Sequence, residues 1–126
     1  MNKEIQKKFI LDTLLPYLED PSTCGFDTDE GCLYLTKCGK MCAVGQHMKK
    51  GEWQTSKDCF NGLMLEWDSG EEFLTEEALS MEFSDIVWTS IQDIHDAIAQ
   101  GNRYHYSLKR LEEVLEMELN ELREIN

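Results

Sequence analysis

The chain has 126 residues, with 41% hydrophobic and 29% charged residues and a formal net charge of −13 at pH 7. This length predicts one domain, residues 1–126, with a hydrophobic core of its own. So negative a chain is not expected to bind nucleic acid or an anionic membrane directly, and no apolar run reaches the length of a membrane span.

The five cysteines and the N-terminal residues bear on location. An odd number of cysteines cannot all pair, so the pattern indicates free thiols in a reducing compartment. The basic N-terminus precedes an apolar run that is too short for a signal peptide and that Asp12 interrupts. We therefore expect a cytoplasmic protein.

The first predicted element is a helix over residues 3–15, where apolar residues recur at spacings close to 3.6. Asn2 is placed to cap this helix, and Pro16 and Pro21 are expected to kink or end it. Residues 22–31 are rich in Asp, Thr and Gly, which is typical of a loop.

Short strands are predicted next. Alternating residues indicate a strand over Cys32–Thr36, followed by a glycine turn and a short helix over 41–50. A second strand is predicted over Leu63–Trp67, between turn residues, and Trp53 is a candidate for a third.

The C-terminal half predicts three helices. Thr75 precedes two acidic residues and can open the first of them. Ser84 opens a second helix, which runs to about Gln100 with Gly101 beyond its end. A long last helix is predicted from about Ser107 to the C-terminus. The apolar face of the second helix comprises Val87 or Trp88, Ile91, Ile94, His95 and Ile98.

Together these elements predict an α+β fold, in which a small antiparallel sheet of two or three strands packs with three or more helices. The leucines of the last helix lie along one side of it and could also form a homodimer interface, although Glu118 interrupts a strict heptad repeat.

Acidic residues are concentrated in residues 58–102, which contain eleven Asp or Glu and no Lys or Arg. Such a stretch is typical of a solvated face, and it can also serve as a docking surface for a basic patch on another protein. Binding of a divalent cation is a third alternative. The residues predicted to contact a basic partner are Asp68, Glu71, Glu72, Glu76, Glu77 and Glu82.

The cysteine spacing does not favour a metal site. Structural zinc sites usually have two close pairs of ligands. Three residues separate Cys38 from Cys42, and His47 follows, but no second pair matches them. We therefore predict no metal and no cofactor.

Cys42, His95 and Asp96 form the candidate catalytic set. Cys42 follows a glycine turn at the start of a predicted helix, with Lys40 nearby, and both surroundings favour a thiolate. His95 on an inward helix face could act as its base, and Asp96 or Asp93 could orient the imidazole. The alternative is a packed histidine with one nitrogen satisfied.

Two segments of the chain resemble a pattern found in small proteins of bacteriophages and bacteria. The first runs from Cys32 to Gly45 and ends in Cys-Ala-Val-Gly, and the second, residues 91–96, contains Gln-x-x-His-Asp. The resemblance implies a phage or mobile-element setting and no particular activity.

These observations predict a small acidic accessory protein that binds a host or defence protein through a basic surface on that partner. The first alternative is a thiol hydrolase or transferase that uses Cys42 and His95. The second alternative is a structural or dimerisation domain.

Overall fold

The computed structural model describes residues 2–24, 26–27, 31–32, 43, 45–47 and 74–123. About three-quarters of this part of the chain is helical. Its α-helices are α1 (Lys3–Glu19), α2 (Glu76–Ser80), α3 (Asp85–Gln100) and α4 (His105–Leu115). Single turns of 3₁₀ helix lie at Pro21–Thr23, Gly45–His47 and Asn120–Leu122.

The predicted α+β fold is wrong, because the described residues form a helical fold in which helices pack on helices. In the part of the chain that the structure describes, the strands are Phe26–Asp27 (β1) and Gly31–Cys32 (β2), which run antiparallel, and Leu74 is a single bridge residue. Two-residue strands have no face large enough to cover a layer of helices. Of the predicted strand Cys32–Thr36, Cys32 lies in β2. Residues 33–36, the predicted strand at 63–67 and Trp53 lie outside the described residues.

Helix α1 is longer than predicted. Asn2 caps it as expected, with its Oδ1 accepting from the Glu4 backbone N–H at 2.7 Å. The helix continues through Pro16, which removes one donor to the Asp12 carbonyl. Asp12 and Pro16 are both exposed, so water can replace that hydrogen bond. The helix ends after Glu19.

Helices α2 and α3 begin where the sequence predicts. Thr75 caps α2 by accepting from the Ala78 N–H at 3.3 Å. Ser84 precedes α3, and Gly101 ends it in the left-handed region at φ 70°. The predicted apolar face of α3 is buried against α1 and α4. Its residues are Val87, Trp88, Ile91, Ile94, His95 and Ile98, none more than 8% exposed.

The prediction of a helix from Ser107 to the C-terminus is wrong, because α4 ends at Leu115. Glu116 adopts a left-handed φ of 53°. The Met117 N–H then reaches back to the Glu112 carbonyl at 3.1 Å, and the Glu116 N–H donates to the Glu113 carbonyl at 3.3 Å. This is the Schellman arrangement that ends many helices.

Beyond Glu116 the chain folds back onto the core. Leu119 and Leu122 are fully buried although they are not part of α4. The Leu119 N–H donates to Glu112 Oε2 at 2.7 Å, and Tyr104 Oη donates to the Leu122 carbonyl at 2.5 Å. These leucines are therefore covered by the chain itself. A homodimer through this region, which stays a prediction, would have to use exposed residues such as Val114.

Replacing Glu116 with glycine is expected to raise the free energy of unfolding by about 0.5–1 kcal/mol, because glycine adopts a left-handed φ without a Cβ penalty. The ion pair that Glu116 makes with Lys3, at 3.8 Å, is exposed and contributes little. Urea unfolding measures the change. The matched control is Glu113→Gly inside α4, which should instead lose about 1 kcal/mol; stabilisation by both changes would contradict this explanation.

No helix in the described ranges has the length and apolar character needed to cross a bilayer.

Candidate functional site

His95 lies on the inward face of α3, and its side chain is fully buried. Its Nδ1 is 2.8 Å from Asp96 Oδ1, an oxygen that also accepts from Gln92 Nε2 at 2.9 Å. A carboxylate only accepts hydrogen bonds, so Nδ1 carries the proton that is donated to Asp96. Adjacent residues on one helix thus hold the imidazole in a single tautomer and orientation.

Helix α1 and the segment that follows it cover the His95 region. The ring of Tyr17 packs edge-on to the imidazole, with ring centroids 4.7 Å apart. The buried Cys24 places its Sγ 3.9 Å from the backbone carbonyl of His95. Gln46 donates to the Tyr17 hydroxyl at 2.9 Å, which connects the Gly45–His47 turn to the same cluster.

The structure brings together two of the three predicted catalytic residues, His95 and Asp96, whereas Cys42 lies outside the described residues. A base must come within hydrogen-bond reach of the proton it removes. The imidazole is 0% exposed, which is the environment expected of a packed histidine with one nitrogen satisfied. The Cys–His active site stays a prediction.

His47 is a second histidine in the core region, half-buried, and the sequence does not indicate its role. The hydroxyl of Thr13 donates to the Phe9 carbonyl at 2.8 Å, which leaves its oxygen to accept from His47 Nε2, also at 2.8 Å. The imidazole lies against the Phe9 ring at a centroid distance of 4.3 Å and near Trp88 at 6.0 Å. Burial in this aromatic pocket lowers the pKa of His47 from 6.5 to about 4.

The backbone of His47 also contributes to the fold. Its carbonyl accepts from the Thr75 N–H at 2.8 Å, just before α2 begins. One residue therefore connects the Gly45–His47 turn to α1 through its side chain and to the start of α2 through its main chain. In the described part of the chain, no group of three or more His, Cys, Asp or Glu is arranged to hold a metal ion.

The predicted partner-binding residues are described in part. Glu76, Glu77 and Glu82 are exposed, as is the neighbouring Asp85. Glu77 lies close enough to the exposed Lys8 to add to the rise in the pKa of that lysine, which comes mainly from the hydrogen bond and charge of Asp12. The remaining predicted contacts, Asp68, Glu71 and Glu72, lie outside the described residues.

The acidic residues further along α3 have partners within the fold. Asp93 accepts from Arg110 Nη2 at 2.8 Å, and Asp96 accepts from His95 and Gln92. The carboxylates of the described part of residues 58–102 thus fall into two groups. Those at the starts of α2 and α3 face solvent, and those in the middle of α3 hold its neighbours in place.

Comparison with protein-family models, with curated proteins and with solved structures found no match to this chain. Function is therefore inferred from the residues themselves.

Proposed function

We propose that this protein acts by binding, as a small acidic accessory protein that docks on the basic surface of a host or defence protein. The observation that supports this proposal is the group of exposed carboxylates of Glu76, Glu77, Glu82 and Asp85, which we call the acidic face. The acidic face lies in residues 58–102, a stretch that itself contains no Lys or Arg.

The fold holds the acidic face on ordered elements. Glu76 and Glu77 occupy the first turn of α2 behind the Thr75 cap, and Asp85 is the first residue of α3. Gln6 of α1 donates to the Met81 carbonyl at 2.8 Å, which ties the segment between the two helices to α1. Carboxylates held on ordered helices lose little conformational entropy when they bind a basic surface. The net charge of −13 also attracts a basic partner before contact is made.

The lysines of α1 pair with carboxylates outside the acidic face and so neutralise little of its negative charge. Lys3 pairs with Glu116 at 3.8 Å, and Lys7 pairs with Glu121 at 3.5 Å, both toward the C-terminal segment. Lys8 pairs with Asp12 at 2.6 Å within α1. These exposed pairs add little to stability, but they direct the positive charge of α1 toward other carboxylates.

The binding proposal predicts that Glu76→Lys with Glu77→Lys weakens the complex by about tenfold or more, because like charges then face each other across the interface. A partner would first be captured from host lysate at about 50 mM salt and identified by mass spectrometry, and its purified form titrated at low and high salt. Wild-type affinity should fall steeply with salt, and the double variant should show a weaker dependence on salt.

The matched control is Glu19→Lys with Glu118→Lys, which changes the net charge equally at two exposed positions away from the acidic face. This variant should keep most of the affinity. Equal losses in both double variants would mean that only total charge matters, and a salt-insensitive complex would contradict the proposal.

A further inference from the structure

Helices α3 and α4 pair in antiparallel fashion, and Arg110 sets their register. Its Nε donates to Ser90 Oγ and its Nη2 to Asp93 Oδ2, each at 2.8 Å. One helical turn from these contacts, toward the start of α3 and the end of α4, lie Ile86 and Val114. The register therefore places the two residues level with each other on facing helices, at the open end of the helix pair.

Ile86 and Val114 are 52% and 44% exposed, although they border a well-packed core. Of the described residues, Ile5 and Tyr106 are the other exposed large hydrophobic residues. Tyr106 lies at the start of α4, at the opposite end of that helix from Val114. Ile5 is in α1, whose Lys3 contacts Glu116 beyond the end of α4. Exposed apolar residues that are contiguous and rimmed by polar residues can mark an interaction site. We call Ile86 and Val114 the apolar patch.

Carboxylates border the apolar patch. Asp85 is next to Ile86 in the chain, Glu82 lies just before α3, and Glu113 is next to Val114; all three are exposed. The nearest cation along α4 is Arg110, whose guanidinium is held by Asp93. Lys3 of α1 also reaches this end of α4, where it contacts Glu116. The three exposed carboxylates outnumber this lysine, so the patch is apolar in the middle and negative at its edge, and two members of that edge also belong to the acidic face.

We infer that the apolar patch receives an aliphatic side chain from a partner segment in which that residue is flanked by Lys or Arg. Charge complementarity selects this occupant: the flanking cations meet Glu82, Asp85 and Glu113 while the aliphatic residue covers Ile86 and Val114. A second copy of this chain would place an identical acidic edge against the first, and the two copies, each with a net charge of −13, would repel each other. The inference rests on the proposed function and specifies where the partner is anchored.

The test uses the full chain, with isotopically labelled methyl groups, and a synthetic amphipathic helical peptide of leucine and lysine. On titration, the NMR signals of the Ile86 and Val114 methyl groups should shift, and a matched leucine and glutamate peptide should shift neither. Ile86→Asp should weaken peptide binding by about tenfold or more. The control is Tyr106→Asp, at an exposed hydrophobic residue near the start of α4, the end of that helix opposite Val114, and it should bind as wild type does.

The outcomes separate this inference from the proposed function. If Glu76→Lys with Glu77→Lys weakens binding but Ile86→Asp does not, the acidic face binds and the apolar patch is not its anchor. If neither peptide binds at all, both proposals fall. A dimer of the free chain that Ile86→Asp dissociates would show that the occupant is a second copy. Ile86→Ser serves as a milder variant should the aspartate disturb the fold.

Discussion

Lowering the pH from about 6.5 to about 4 is expected to reduce the free energy of unfolding by up to about 3 kcal/mol through His47 alone. Burial holds the pKa of His47 at about 4 in the folded protein, against 6.5 for an exposed histidine. In that interval the unfolded chain takes up a proton that the folded chain does not. The contribution of neutral His47 to the free energy of unfolding is complete above pH 6.5 and is lost as the pH falls from 6.5 to about 4.

Urea unfolding between pH 7 and pH 4, for the wild type and His47→Gln, measures this effect. Glutamine can still donate to the Thr13 hydroxyl but does not titrate. The difference between the two curves therefore gives the part of the pH dependence that comes from the imidazole of His47 and not from the carboxylates. The variant should lose less stability on acidification. The control is His105→Gln, at an exposed histidine, and its curve should follow that of the wild type. Parallel curves for all three proteins would contradict the assigned environment of His47.

Replacing His95 with alanine is expected to lower the free energy of unfolding by about 3 kcal/mol. The change leaves a cavity where the fully buried imidazole packs against Tyr17. It also removes the Nδ1–H donor that lies 2.8 Å from Asp96 Oδ1. His105→Ala, at an exposed position, should change stability by no more than about 0.5 kcal/mol. Similar stability of the two alanine variants would mean that His95 does not pack as the structure shows.

A milder change, Asp96→Asn, addresses the Cys–His hypothesis, because it removes the carboxylate next to the imidazole without emptying the core. Alkylation of each cysteine in the native protein, followed by mass spectrometry, reports thiolate character. If the protein acts by binding, Cys42 should be alkylated no faster than the other cysteines, both in the wild type and in Asp96→Asn. Fast alkylation of Cys42 below about pH 7 that Asp96→Asn abolishes would favour the enzyme.

The helices with complete local signals could be predicted from the sequence. Helix α3 has a serine before it, a glycine after it and an apolar repeat close to 3.6 between them, and its observed bounds are those predicted. The start of α2 at Thr75 follows from the same capping chemistry. These features depend on hydrogen bonds between residues a few positions apart, so nearby sequence contains the information.

The sheet and the end of α4 could not be predicted in this way. Of the strand predicted over 32–36, the structure describes Cys32, which pairs in β2. A pair of two-residue strands is too short to give an alternation that the sequence would reveal. The leucine repeat continues past Glu116 because Leu119 and Leu122 are buried, but their burial does not require a helix. Glutamate gives no local signal for a left-handed turn, and the return of the chain depends on contacts with Glu112 and Tyr104.

For the candidate sites, the sequence by itself determined that His95 lies on the inward side of a helix with Asp96 next to it in the chain, and that residues 58–102 contain eleven acidic residues and no Lys or Arg. Only the tertiary structure decided that His95 is enclosed and that His47, thirty-four positions from Thr13, is held in an aromatic pocket. Desolvation and packing depend on residues distant in the chain that meet only when the helices assemble, so no local pattern contains them.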